Sequence, residues 1–531
     1  MATRTWAWLT DSLHRLAPGS SPRRGGTLGL QAAKGEQVSC QLGVRTSGNN
    51  EPVTVRLSCK SDSGIGVRIR RVGFVPVPHY NTPVIDGHYE GRLGGYVGDP
   101  LFEEDSLLLW PGETAAFWIT VVADRTCRPG PKRVQLAADF GGEVRHCELL
   151  IHVCDVTLRK RKDFPVTHWF YADALCDFYG VEPFSEGFWP IFRRYVSDIV
   201  SHHQDTLYVP VFTPPLDGVK RPTQLLKVRR RAGGRYAFDF ADLRRWIRTA
   251  GRRGVRQFEF NHLFTQWGAA NAIRIYHGQG ADEQLLWPAK TPATGKTYRD
   301  FLTQYLPALK RFLQREGIMD RCFFHLSDEP HGPVHQANYA RARRMLTELA
   351  PWMTVMDALS EVEFARKGLV DMPIPTIRTV REFLAEDIPC WTYFCCNPRG
   401  KYLNRLMDTP LAKIRMSGWL FYRTGVLGFL HWGYNYWYKR QSRQLIDPFT
   451  VSDACASPEW PYGDTFMVYP GQAGPIDSVR WEVFAESLQD YALLQTLGVD
   501  RNGRLLAAIR DYDNFPFSPA WIAGARRKLF A

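Results

Sequence analysis

The sequence predicts an α/β protein: a (β/α)8 TIM-like barrel preceded by an N-terminal β-sandwich and followed by a small C-terminal helical cap. Three observations predict it. Residues 1–157 hold short segments that alternate apolar and polar side chains. From Phe164 onward strand-like and helix-like stretches alternate eight times over about 280 residues, the number and size of a (β/α)8 unit. The last stretch of chain returns to helical periodicity.

The N-terminal segments are VSCQLGVRT, VTVRLSC, AAFWITVVA, KRVQLAADF and HCELLIHVC, separated by Gly, Pro, Asn and Asp. Period-two alternation bounded by turn residues marks strands with one buried face, the pattern of a sandwich. The polar, basic stretch TLRKRKDFP, residues 157–165, is the expected junction.

Eight strands follow: VTHWFY, TLYVPVFT, VRQFEFNHLF, CFFHLSDE, WMTVMDAL, VDMPIPTI, CWTYFCCNP and VLGFLHWGYNYW. Helical stretches such as YRDFLTQYLPALKRFLQREG and VHQANYARARRMLTELA lie between them. A doubly wound open sheet is the alternative, disfavoured because no G-x-G-x-x-G turn follows the first strand. A Pro/Gly/Asp-rich loop then leads into the helix SVRWEVFAESLQDYALLQTLG. The expected divisions are 1–157 for the sandwich, 158–445 for the barrel, and 446–531 for a loop and helical extension packed on the barrel.

At 531 residues the chain is too long for one ordinary core, which agrees with several units. Lys and Arg outnumber Asp and Glu by 67 to 54, a net charge of +13. The basic runs, Arg229–Arg231 among them, accompany no nucleic-acid-binding motif, so a solvated basic face is expected and no nucleic-acid partner. No stretch reaches 18 uncharged apolar residues, so no membrane span is expected. The start of the sequence is a poor signal peptide, and 11 scattered cysteines with an adjacent Cys395–Cys396 pair suit reduced thiols; a cytoplasmic location is the expectation. The pattern leaves oligomeric state open.

Barrel enzymes carry their chemistry at the C-terminal ends of the strands. Strand four ends His325-Leu326-Ser327-Asp328-Glu329-Pro330. Side chains alternate along a strand, so a turn at Pro330 is needed to bring both carboxylates to the mouth. Cleaving a glycoside requires an acid for the leaving oxygen and a negative or nucleophilic group near the anomeric carbon, roles that Asp328 and Glu329 can fill. An Asp-Glu-Pro run is also an ordinary acidic helix start. Other strand ends offer Asn261, His262 and Trp267 (strand three), Trp391, Tyr393 and Asn397 (strand seven), and His431, Trp432, Tyr434, Asn435 and Trp437 (strand eight). Rings stack on sugars while amides and imidazoles bind hydroxyls, although core packing explains any single one equally well. His331 and His335 have i, i+4 spacing, but no H-E-x-x-H or third ligand accompanies them, so neither metal nor cofactor is expected.

At these residues the chain resembles glycoside hydrolase family 123, the β-N-acetylgalactosaminidase family. The resemblance rests on Asp328-Glu329, on WTYFCCNPRGKYLNRLMDTPLAKIRMSGWLFYRTGVLGFLHWGYNYW, on GDTFMVYPG, on SVRWEVFAESLQDYALL and, upstream, on LQAAKGEQVSCQLGV. One departure is AESLQDY where relatives read close to R-D-G-I-E-D-Y. The resemblance implies an exo-acting, retaining, substrate-assisted hydrolase of terminal β-linked N-acetylhexosamines. In it the substrate's 2-acetamido oxygen attacks the anomeric carbon, Glu329 is the general acid and then base, and Asp328 orients the acetamido group. Three alternatives stay open: a glycosidase of another hexosaminide specificity on the same barrel, a carbohydrate-binding protein with a decayed site and, from the charge alone, a polyanion-binding protein.

Overall fold

The structure, a computed structural model, describes residues 3–78, 95–213, 223–278, 283–455 and 460–531. Two β-sheets form the N-terminal region. One runs in the order Thr27–Lys34, Val144–Thr157, Gly130–Asp139, Val53–Ser61 and Ser106–Leu109. The other begins Arg4–Asp11, Gln37–Ser47, Thr114–Ala123, Ile65–Val77 and Gly95–Phe102. Alternation dictates their contact. In Val53–Ser61, Val55 and Leu57 are buried while Thr54, Arg56 and Ser58 face solvent. Those two residues join Leu136 and Leu149 of the same sheet and Leu42, Phe117 and Ile119 of the other in one apolar cluster.

The second sheet does not stop with the N-terminal region. A hairpin from the expected C-terminal extension, Tyr469–Gly471 and Gly474–Ser478, extends it through Asp477 opposite Leu101 and Ser478 opposite Pro100. Part of the stretch after residue 446 thus pairs with the N-terminal sheet. The helix that follows, Val479–Thr496, is buried from Val479 to Leu494 and packs against the helices Leu411–Arg415 and Ser417–Thr424. It carries charge into the interior, each charge paired: Glu482 with Arg70, Glu486 and Asp490 with Arg415, and Arg480 with Asp99.

The middle of the chain supplies eight short parallel strands in chain order: Val166–His168, Thr206–Val209, Gln257–Phe260, Cys322–Phe324, Met356–Ala358, Met372–Ile374, Thr392–Tyr393 and Phe429–His431. Each lies inside one of the eight segments named from the sequence. Parallel ladders join two to three, three to four, five to six, seven to eight and eight to one. Single parallel bridges, Phe324–Val355 and Thr376–Tyr393, join four to five and six to seven. Between one and two no backbone ladder is present among the described residues; the Val166 N–H instead donates to the Asp205 carboxylate at 2.9 Å. The body is thus a mixed α/β arrangement with one seam.

Helices cover these strands by apolar stripes. In Lys296–Glu316 the buried residues Phe301, Leu302, Tyr305, Leu306, Leu309, Phe312 and Leu313 recur at helical spacing, and Gly317 ends the helix in the left-handed conformation. Among the described residues no helix is long and apolar enough to cross a membrane. All 11 cysteines are unpaired.

Candidate active site

Strand four delivers the two carboxylates, and its neighbours fix where they point. The backbone N–H groups of Leu326 and Ser327 donate to the Asp357 carboxylate at 3.1–3.3 Å. The Glu329 N–H donates to the Ala358 carbonyl at 2.9 Å, and the Asp328 carbonyl accepts from the Trp267 N–H at 2.8 Å. Glu329 has φ of 43°, a left-handed conformation that costs a non-glycine residue about 1–2 kcal/mol. That turn breaks the alternation that would send neighbouring side chains to opposite faces, and Asp328 and Glu329 line one pocket. The reversal expected at Pro330 occurs one residue earlier.

The pocket has a volume of about 220 Å³. Its walls are aromatic: Trp169, Trp267, Tyr393, Trp432, Tyr436 and Trp460. Trp432 and Trp460 are held as a pair, ring centroids 5.6 Å apart, because both indole N–H groups donate to the same Asp464 oxygen at 3.1 Å. Asp464 is fully buried, and burial lifts its carboxyl to about 6 against the opposing pull of Arg405 and the two indoles. Trp169 is fixed likewise, its indole donating to Glu259 at 2.6 Å.

Beneath the carboxylates lies a buried charged relay. The His325 ring bonds to Glu259 at 2.6 Å and to Asp357 at 3.1 Å. Burial alone would lower its pKa, but the two carboxylates outweigh burial and raise it to about 10. His325 is therefore an imidazolium at neutral pH, with both N–H groups spent. Glu259 also accepts from Thr167, and Asp357 from Tyr339. Above this relay Asp328 accepts from the Gln266 amide at 2.8 Å, and Glu329 Oε1 accepts from the Tyr393 hydroxyl at 2.6 Å. Burial, and then the Glu329 charge, raise Asp328 to about 8. Burial thus favours the protonated form of Asp328, the residue to which the resemblance gives the acetamido-orienting role.

Of the residues named from sequence, the structure brings Asp328, Glu329, Trp267, Tyr393 and Trp432 to the pocket. The others serve the scaffold. The Asn261 side chain holds the Phe212 N–H and the His262 carbonyl. His262 stacks on His325 at 4.4 Å, and burial, then the His325 charge, keep it neutral. Trp391 shares strand parity with Tyr393 but lies about 7 Å nearer the strand's start, where it packs on Phe323 and Gly428. His431 is buried against Arg405. Tyr434 donates to Asp198, Asn435 brackets the backbone of Tyr171, and Trp437 donates to the Val468 carbonyl. Asn397 is exposed, ahead of a cis bond to Pro398. His331 and His335 bond to nearby backbone. His262, His325 and Asp357 offer potential ligand atoms within 4.8 Å of one another, but both His325 nitrogens are already committed to carboxylates.

Sequence reasoning missed Trp169, Gln266, Tyr436, Trp460, the supporting acids Glu259, Asp357 and Asp464, and the half-buried Cys395 and Cys396 in the wall. A signal existed for two of them. Glu259 sits inside QFEF and Asp357 inside TVMDAL, and a carboxylate in the middle of an apolar parallel strand requires buried partners.

Comparison with known proteins assigns the family. The glycoside hydrolase 123 catalytic-domain family model matches residues 169–497. Among solved structures, a family 123 glycoside hydrolase from Clostridium perfringens, described in connection with glycolipid glycan hydrolysis, superposes with a TM-score of 0.76 at 13% identity, covering 99% of this chain and 97% of that one. The endo-β-1,4-mannanase from Thermotoga petrophila is far less similar, with a TM-score of 0.34, 12% identity and coverage of 64% and 78%. The β-glucuronidase 3 of Bacteroides uniformis has a TM-score of 0.31, 10% identity and coverage of 85% and 50%. A sequence comparison with curated proteins returned no match. With the family model spanning more than half of its length, the chain belongs to glycoside hydrolase family 123.

Proposed function

We propose that the protein is an exo-acting, retaining β-N-acetylgalactosaminidase that uses its substrate's 2-acetamido group as nucleophile, with Asp328 and Glu329 as the catalytic pair. The observation that carries this reading is that two consecutive residues of one strand end line one small aromatic pocket. A retaining enzyme with a protein nucleophile places its two carboxyls on opposite sides of the anomeric carbon, roughly 5–5.5 Å apart. Consecutive residues approach from one chain segment, an arrangement that suits one acid and one orienting group. The order and parallel sense of the eight strands support a (β/α)8 barrel closed across the Val166–Asp205 seam, with the paired N-terminal sheets as a β-sandwich. The pocket then lies at the C-terminal ends of the strands, where barrel enzymes work.

In this mechanism the sugar ring stacks within the tryptophan walls and its acetamido N–H donates to Asp328. A hydrogen bond to the charged form favours that form, so binding draws the proton off Asp328. The pair then holds its proton on Glu329. Tyr393 occupies Glu329 Oε1, which leaves Oε2 to protonate the glycosidic oxygen. The acetamido oxygen attacks the anomeric carbon, Asp328 stabilises the positive charge developing on the oxazolinium ring, and Glu329 next deprotonates the water that opens it. Substrate binding thus loads the general acid.

The test is a set of nitrophenyl β-glycosides. The 2-acetamido-galactoside is cleaved, the 2-acetamido-glucoside more slowly, and the 2-hydroxyl galactoside not at all. Glu329→Gln lowers turnover by about 10²–10⁴-fold on poor leaving groups and by less on nitrophenol. Efficient cleavage of the 2-hydroxyl sugar, or a glycosyl adduct on Asp328 or Glu329 seen by mass spectrometry, would overturn the mechanism. Binding of N-acetylgalactosamine with no turnover of any glycoside would point to a carbohydrate-binding role instead.

A further inference from the structure

At the opposite end of the parallel strands from the aromatic pocket, a second cavity of about 330 Å³ opens where four parts of the molecule meet. Arg125 reaches it from the N-terminal sheets, and Arg159, Lys160 and Arg161 from the segment linking them to strand one. Arg253 and Arg256 reach it from the connection into strand three, and the buried helix Val479–Thr496 supplies a wall through Leu488, Gln489 and Ala492. Six cationic side chains thus face a cavity whose one lining carboxylate is Asp205. That carboxylate is already used: it pairs with Arg161 Nη2 at 3.0 Å and accepts from the Val166 N–H at 2.9 Å.

The other cations are uncompensated. Among the described residues none of Arg125, Arg159, Lys160, Arg253 or Arg256 has a carboxylate within 4.0 Å, whereas Arg244 and Arg248 elsewhere on the surface share Glu316. Arg125 and Arg256 are turned onto the linker instead, donating to the Leu158 and Arg161 carbonyls at 3.0 and 3.4 Å. The decisive detail is Arg161 itself. It is 8% exposed, its Nε and Nη2 are satisfied by the Phe164 carbonyl and Asp205, and its Nη1 is buried with no hydrogen-bond partner. A buried guanidinium N–H left open in a cationic cavity has the chemistry of an unfilled anion site, because desolvated donors are costly unless an acceptor meets them.

We propose that this cavity binds a small tetrahedral oxyanion of charge minus two or more, of the phosphate type, with Arg161 Nη1 at its base and the Arg125, Arg159 and Arg256 guanidiniums around it. Arginine's planar fork matches such oxygens two at a time. The site is separate from the glycosidase chemistry and does not depend on it. Because its walls come from the N-terminal sheets, the linker, the parallel-strand body and the C-terminal helix, the bound anion ties these parts together and stabilises the fold by mass action.

The full chain is titrated calorimetrically with inorganic pyrophosphate, orthophosphate and sulfate at constant ionic strength set by sodium chloride, with thermal denaturation in parallel. Micromolar to low-millimolar binding and a rise in Tm are expected with pyrophosphate or orthophosphate. Tighter binding of pyrophosphate would identify linked phosphates as the ligand, and equal binding a single phosphate group. Arg159→Gln combined with Arg256→Gln, both at exposed positions, should weaken binding at least tenfold. The unliganded double variant should melt no lower than the parent, because like charges have been removed. An Arg161→Lys variant should bind more weakly still. If sodium chloride alone raises Tm as much as the phosphates at equal ionic strength, or the double variant binds as tightly as the parent, there is no such site.

Discussion

Asp328→Asn should stabilise the protein while leaving only a small residual activity, and the stabilisation should depend on pH. In the fold Asp328 titrates near 8, against 3.8 for an exposed carboxyl. Between about pH 4 and pH 8 the native state keeps a proton that the unfolded state has lost. Stability therefore falls as pH rises through that window and levels off above it. Four units at about 1.4 kcal/mol each set a ceiling of about 6 kcal/mol, and water entry and relaxation reduce the cost to about 2–3 kcal/mol. Asparagine keeps an acceptor for Gln266 and carries no charge, so it escapes this cost. The Tm of the variant, followed by tryptophan fluorescence, should match that of the parent near pH 4.5 and exceed it by about 3–6 °C at pH 8.5. A gap that is constant across pH, or a variant that is less stable at pH 8.5, would show that Asp328 is not held protonated by burial.

Three other perturbations follow from named contacts. Tyr393→Phe deletes the donor to Glu329 Oε1 and should lower kcat/KM by roughly 10–100-fold; a change below twofold would remove the hydroxyl from the mechanism. Asp464→Ala frees both indoles of the Trp432–Trp460 pair and should raise KM with a smaller effect on kcat, whereas Asp464→Asn, which keeps an acceptor oxygen, should recover most of it. The Cys395 and Cys396 sulfurs lie 3.7 Å apart in the pocket wall, close to the separation of about 3.8 Å spanned by two thiolates on one tetrahedral zinc. Zinc should inhibit reversibly, more strongly as pH rises because the Cys396 contact and burial keep the Cys395 thiol protonated, and replacing both cysteines by serine should abolish the effect in activity assays.

How much of this was legible in the sequence differs from residue to residue for physical reasons. Strands and the acidic pair of the pocket were legible because both are local: β-branched and aromatic runs mark the eight strands, and Asp328-Glu329 stands at the end of one of them. Partnership across the chain was not. Nothing in PGQAGPIDS states that it will extend a sheet begun some 400 residues earlier, since an edge strand is defined by its partner's unpaired backbone and not by its own side chains. Depth was not legible either. Trp391 and Tyr393 have the same parity, yet two residues along the strand separate interior packing from the pocket.

The same limit governs the carboxylates. The family resemblance makes Glu329 the acid and Asp328 the orienting group, but burial dominates the Asp328 pKa, and burial depends on the loop carrying Gln266 and on the left-handed turn at Glu329. The sequence specifies two adjacent acids; the fold sets where their shared proton rests before substrate arrives. An acid that is protonated at the wrong residue until an acetamide binds would protect the enzyme from protonating sugars that lack one. Selectivity for 2-acetamido sugars would then arise twice, once from the nucleophile and once from the proton. A pH–rate profile separates the two: the limb of kcat/KM belonging to the free enzyme should follow Asp328 near pH 8, and in Asp328→Asn that limb should vanish from the residual activity. If the limb persists unchanged in the variant, the proton's location in the free enzyme plays no part in choosing the substrate.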